Sequence, residues 1–113
     1  QSFFNLIYFN INNGEFRITR SIKEVKDFAK NFTDGQEFLN AACENMVDIK
    51  YQDRVRDFID LSTVIERIGD KKVIAEDYIG LDKCMYRISF IYVVKELDDE
   101  VVLCGVQKLK DKE

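Results

Sequence analysis

From Lys83 to Lys95 the chain alternates with period two, setting Tyr86, Ile88, Phe90, Tyr92 and Val94 on one face. A stretch of this length in strand period would scatter its apolar residues around a helix, so it commits the chain to a sheet. Glu100 to Leu109 is a second long extended segment. A two-residue turn at Asp98-Asp99 joins the two and sets Tyr92 opposite Gly105, where an aromatic ring can lie over bare backbone. Val73 to Ile79 reads as a shorter strand.

The chain also opens in strand period. Ile7, Phe9 and Ile11 share one face, Leu6 and Tyr8 the other. Asn12-Asn13-Gly14 then supplies residues that tolerate positive φ, and Phe16 and Ile18 alternate with Glu15, Arg17 and Thr19. That is a hairpin.

Between the two sheet-forming regions the period changes to that of a helix. Ser21 with Glu24 forms a capping-box pattern ahead of Ile22, Val25, Phe28 and Ala29, so the first helix runs from Ser21 to about Lys30. Asp34-Gly35 breaks it. Phe38, Leu39, Ala42, Cys43 and Met46 mark a second helix. Val55, Phe58, Ile59, Ser62, Ile65 and Ile68 mark a third from about Gln52, stopped by Gly69-Asp70. The 113 residues form one domain. The expected class is α+β: a five-stranded antiparallel sheet with strands at about 5–12, 15–20, 72–79, 84–96 and 100–109, and helices inserted between strands two and three and packed on one face.

Composition excludes several functions. The chain has no His, which removes the commonest general base and the commonest metal and haem ligand. The five glycines stand singly, so there is no phosphate loop. A net charge of −4 does not attract nucleic acid, and Lys108, Lys110 and Lys112 are interleaved with Asp111 and Glu113 as in a solvated tail. No apolar run approaches the length of a membrane span. Cys43, Cys84 and Cys104 are odd in number and lack paired spacing. Cys43 and Cys104 read as small core residues, and the compartment as reducing and cytoplasmic. The chain begins with Gln1, which suggests a piece of a longer protein.

Three stretches resemble the PAS family, in particular the sensor domains that precede diguanylate cyclase (GGDEF) domains in clostridial-type bacteria. Tyr8 to Phe16 resembles the family's first hairpin, where an apolar strand meets "IDxxTGEY". Val47 to Phe58, with Asp53-Arg54 and Phe58, is similar to "V-x-P-E-D-R-x-x-F", with Tyr51 where the family usually has Pro. Val102 to Leu109, containing Gly105, resembles the closing "IIIGVxxI" strand. Lys108 stands where many members carry the Asp of a closing "D-I-T". The resemblance implies a PAS-like arrangement and a non-enzymatic sensor or dimerisation domain. Such a domain binds a small molecule or partner and passes the change to a C-terminal output domain. The flavin-attachment cysteine motif is missing, so no cofactor is implied. The competing expectation is an NTF2-like binding protein or isomerase, but those typically lead with helices and use a pocket Asp or His.

Two sets of residues are candidates for binding. Tyr86, Phe90 and Tyr92 on the sheet, facing Phe38, Met46 and Phe58 from the helices, could line a cavity, since a buried phenol needs a partner. On the other sheet face Leu6, Tyr8, Ile91, Val93, Val102, Cys104 and Val106 form an apolar set that suits a homodimer contact. Asp53 and Arg54 are either a polar latch or a helix start. Asp57, Asp60 and Glu66 read as a solvated helix face, and neither catalytic nor metal-ligating residues are assigned.

Overall fold

The computed structural model describes residues 5–96 and 98–111, with side chains for 5–93 and 98–111. Val94 as a face residue, and Lys112 and Glu113 of the charged tail, lie outside the described residues. Asn10 ends β1 (Asn5–Asn10) and turns the chain. Its Oδ1 accepts from the backbone N–H of Asn12 at 2.9 Å and of Asn13 at 3.3 Å, and Gly14 takes φ 79°. β2 (Phe16–Arg20) then returns antiparallel.

Four helices follow. α1 (Lys23–Ala29) starts after Ile22 with no side-chain cap. The expected capping box is absent because the Ser21 hydroxyl donates to Oδ1 of buried Asn5 instead. A buried amide oxygen needs that partner more than an exposed helix end does. α2 (Gly35–Met46) is capped by Asp34, whose side chain accepts from the Glu37 N–H at 3.1 Å.

The expected third helix is two, α3 (Gln52–Phe58) and α4 (Leu61–Ile68), with a short 3-10 turn (Ile49–Tyr51) before them. Asp60 breaks the run by capping α4 through the Ser62 N–H at 3.0 Å. Gln36 of α2 bridges the break, donating to the Ile59 carbonyl at 3.1 Å and accepting from the Leu61 N–H at 2.8 Å. Arg67 donates to the carbonyls of Phe58 and Asp60 at 2.7 and 3.1 Å. These partners satisfy the backbone groups that the broken helix leaves open.

β3 (Val73–Ile79), β4 (Met85–Glu96) and β5 (Asp99–Lys110) complete a five-stranded antiparallel sheet in the order β2-β1-β5-β4-β3. The helical segment therefore leaves one sheet edge and returns at the other. The last strand in the sequence is the central one. Ile18, Ile7, Cys104, Phe90 and Ile74 make one row across the inner face. Val25, Phe38, Leu39, Cys43, Val55, Ile59, Val64 and Ile68 from all four helices pack against that face in a single core.

The β4–β5 register differs from the expected one. Ser89, not Tyr92, pairs with Gly105, and Tyr92 pairs with Val102. The expected and observed registers differ by three residues, an odd number. An odd slip moves every side chain of one strand to the opposite face. Val102, Cys104 and Val106 accordingly lie on the inner face and belong to or pack on the core. The outer face carries Val101 and Leu103 in their place, beside Leu6, Tyr8, Ile91 and Val93. Cys43, Cys84 and Cys104 are unpaired and buried. Among the described residues no helix is long and apolar enough to cross a membrane.

Candidate ligand cavity

The core is not completely filled. A cavity of about 80 Å³ lies between α2 and the inner sheet face. Ile7, Ile88, Cys104 and Val106 form its floor, Phe38, Leu39, Ala42, Cys43 and Met46 its roof, and Val25, Val55 and Ile59 its sides. Asn5 and Tyr78 are its polar lining. A void of this size exceeds the roughly 10–15 Å³ needed for one water and is about half of an apolar cavity known to take benzene.

The cavity continues into a shallower vestibule of about 260 Å³ lined by Ile22, Asn45, Leu81, Asp82 and Tyr86. Asn5, Val25, Met46, Tyr78 and Val106 line both compartments. Tyr78 and Tyr86 are cross-strand partners whose rings stack with centroids 5.6 Å apart. The Tyr86 hydroxyl donates to Asp82 Oδ2, and Asp82 Oδ1 accepts from the Cys84 N–H at 2.9 Å. Gly80 makes this corner possible. A Cβ there would lie 2.8 Å from Tyr86 Cε2 and 2.8 Å from Asp82 Oδ1, so any side chain would push both residues away.

The environment fixes the charge states. Burial pushes the Tyr78 phenol well above its ordinary range, with no hydrogen bond to it among the described residues. Burial and then the bond to Asp82 push Tyr86 up to about 12. Burial acts to raise Asp82, but the hydrogen bonds from Tyr86 and Cys84 outweigh it and hold the carboxyl below its usual value. Burial alone raises the Cys104 thiol to about 12, so it stays protonated and unreactive at neutral pH. The resulting site is an apolar chamber with neutral phenols and a carboxylate at its mouth.

Of the residues expected here, Phe38 and Met46 line the cavity and Tyr86 lines the vestibule. Phe58 and Phe90 stack on each other at 5.2 Å in the filled core beside it. Tyr92 is 37 % exposed, near the end of the β4 face that the helices do not reach. Tyr78, Asn5 and Asp82 were not expected. Tyr78 sits on a strand without clean apolar alternation, and its pairing with Tyr86 is the signal that would have found it. Asp53 is fully exposed and pairs only with Arg56 at 3.3 Å. Arg54 ties α3 to β3, donating to Glu76 at 2.8 Å and to the Asp77 carbonyl at 3.0 Å. Gly105 lies between Leu6 and Ser89 on the sheet.

A wider cleft of about 660 Å³ opens at the β1–β2 turn, between Asn10, Asn12, Asn13, Asp34, Gln36, Asp57 and Asp60. It is larger but shallow, and most of its polar groups are engaged. Asn10, Asp34, Gln36 and Asp60 all hold turn or helix-end backbone in place. The apolar cavity, less open than this cleft, is therefore the stronger binding site. Among the described residues no cluster of His, Cys, Asp and Glu is arranged to hold a metal ion.

Compared with protein-family models and with curated proteins, the chain matches none.

Proposed function

We propose that this chain is a PAS-like regulatory domain that binds a small apolar molecule between α2 and the sheet and transmits occupancy through β5. The observation that carries the reading is the unfilled cavity whose floor includes Cys104 and Val106. Those residues lie on the central strand, which continues to Lys110, so a ligand presses on the strand that leads out of the domain. The element order, with helices between β2 and β3, and the three sequence stretches support the PAS-like assignment. A cytoplasmic signalling protein with a C-terminal output domain, a diguanylate cyclase by resemblance, is the proposed setting. Within it the domain acts without catalysis of its own and self-associates through Tyr8, Ile91 and Leu103 of the outer face.

Titration of ¹⁵N-labelled protein with n-pentanol tests the cavity. Saturable shifts are expected at Val25, Ala42, Val55 and Tyr78 and along β5 beyond Val106. Ala42→Leu, which fills the chamber, should stabilise the fold by about 0.5–2 kcal/mol and abolish those shifts. Where Ala42→Leu does not fold, Cys104→Val makes the same test with a smaller addition. Non-saturable shifts, or shifts unchanged in the filled variant, would overturn the reading.

A further inference from the structure

We infer that the ligand of this cavity is a short alkyl amine, with its tail in the chamber and its ammonium in the vestibule at Asp82 and Tyr86. The inference rests on the cavity reading and adds the charge of the head group.

The lining residues carry the argument. Among the described residues Asp82 is the only charged side chain that lines either compartment, and neither Lys nor Arg does. A carboxylate or phosphate head would sit beside the existing negative charge of Asp82 with no cation in the lining to offset it. The strand cation whose charge acts on Asp82 is Lys108, the cross-strand partner of Tyr86, and its Nζ is held by Asp111 at 3.0 Å. Lys83, next to Asp82 in the chain, is paired with Asp48. Lys108 lies outside the lining of either compartment.

The corner suits a cation in three ways. Each Asp82 oxygen accepts one hydrogen bond and keeps a lone pair free. The stacked Tyr78 and Tyr86 rings offer their outer π-faces beside the carboxylate, and a phenol that donates to an anion gains electron density in its ring. Asn45 adds a neutral amide to the vestibule lining. Gly80 keeps Asp82 and Tyr86 in place before any ligand arrives, which lowers the ordering cost of binding. The chamber volume limits the tail to about three to five carbons.

Matched probes separate the head group from the tail. n-Pentylamine, n-pentanol and hexanoate share a five-carbon alkyl tail and differ at the end that reaches the vestibule. By ¹⁵N-detected titration at neutral pH, pentylamine is expected to bind about two- to five-fold tighter than pentanol, the gain typical of a partly solvated ion pair. Hexanoate should bind more weakly than either. Asp82→Asn keeps the acceptor for the Cys84 N–H and should bring pentylamine to the affinity of pentanol, leaving pentanol unchanged. Asp82→Ser, which is neutral and keeps a short acceptor for the Cys84 N–H, serves if Asp82→Asn alters the turn. Hexanoate binding as tightly as pentylamine, or a preference for pentylamine that survives Asp82→Asn, overturns the amine assignment and leaves the cavity reading standing. If pentanol also fails to bind, both fall.

Discussion

Strand β4 shows one face of the sheet covered and the other open. Ile88 and Phe90 point inward and are almost wholly buried, Phe90 stacked on Phe58 under the helices. Ile91 and Val93 point outward, in rows with Tyr8 and Leu103 and with Val101, and most of this set is only half-buried. Val73, beside Ile91 at the β3 edge, is 48 % exposed. What covers the outer face comes from the sheet itself. The Arg17 guanidinium sits 4.4 Å over the Tyr8 ring, and Arg87 donates twice to Asp77 at 2.7 and 3.0 Å. The two faces are similar in residue type and differ in what lies on them. Folding free energy is therefore concentrated inside, whereas the outer face holds apolar area that a second copy could still remove from water.

The largest contrast comes from truncating equivalent positions on the two faces. Phe90→Ala should cost about 3–5 kcal/mol, since it removes a fully buried ring and the neighbouring helices cannot close the space. Leu103→Ala, on the outer side of the adjacent strand, should cost about 1 kcal/mol. Urea unfolding of both variants measures the difference. Equal losses would mean that the outer face is covered as completely as the inner one.

Ile91→Glu is the next test, and it acts on association more than on folding. Ile91 lies in the same row as Tyr8 and Leu103, near the middle of the open apolar set. A carboxylate there remains hydrated in the monomer but would be stripped of water in a face-to-face dimer. Sedimentation across concentration should show the wild type self-associating and the variant monomeric, with the dissociation constant raised at least about ten-fold, roughly 1.4 kcal/mol. A wild type that stays monomeric at high concentration removes the outer face as a dimer contact.

The sequence made the inner face legible on β1 and β4 because strand period shows directly which residues share a side. It did not reveal the face of β5. Val101 to Val106 is apolar at every position except the neutral Gly105, so alternation cannot choose between the two registers, and the turn placement that decided it was in error. The break between α3 and α4 was hidden for a related reason. Phe58, Ile59, Ser62 and Ile65 keep helical spacing across it, and the residues that stabilise the break, Gln36 and Arg67, come from elsewhere in the chain. The cavity was legible only through Phe38, Met46 and Tyr86. Its polar lining depends on the β3–β4 pairing, which brings Tyr78 beside Tyr86, and on a glycine whose importance is steric rather than patterned.

The smallest effect lies at the cavity mouth and is best seen in alkali. Tyr86 has an ordinary value of 10.0 and is pushed up to about 12, first by burial and then by its bond to Asp82, while burial drives Tyr78 higher still. Both shifts mean that the folded state holds its phenol protons more tightly than the unfolded state does. By linkage, their contribution to stability is complete below pH 10 or so, where the unfolded chain also keeps its protons. It declines as pH rises from there through the folded value near 12, because only the unfolded chain gains from ionisation over that interval. Near neutral pH nothing changes, which makes the effect small in ordinary measurements. Spectrophotometric titration of tyrosinate should therefore show phenols that ionise late and together with alkaline unfolding. Asp82→Asn removes the neighbouring negative charge and should bring the Tyr86 step to lower pH without moving the neutral-pH stability by more than about 1 kcal/mol. If the titration of the variant overlays that of the wild type, Tyr86 is held by burial alone. The carboxylate at the vestibule would then lack the electrostatic influence on its surroundings that recognition of an ammonium group requires.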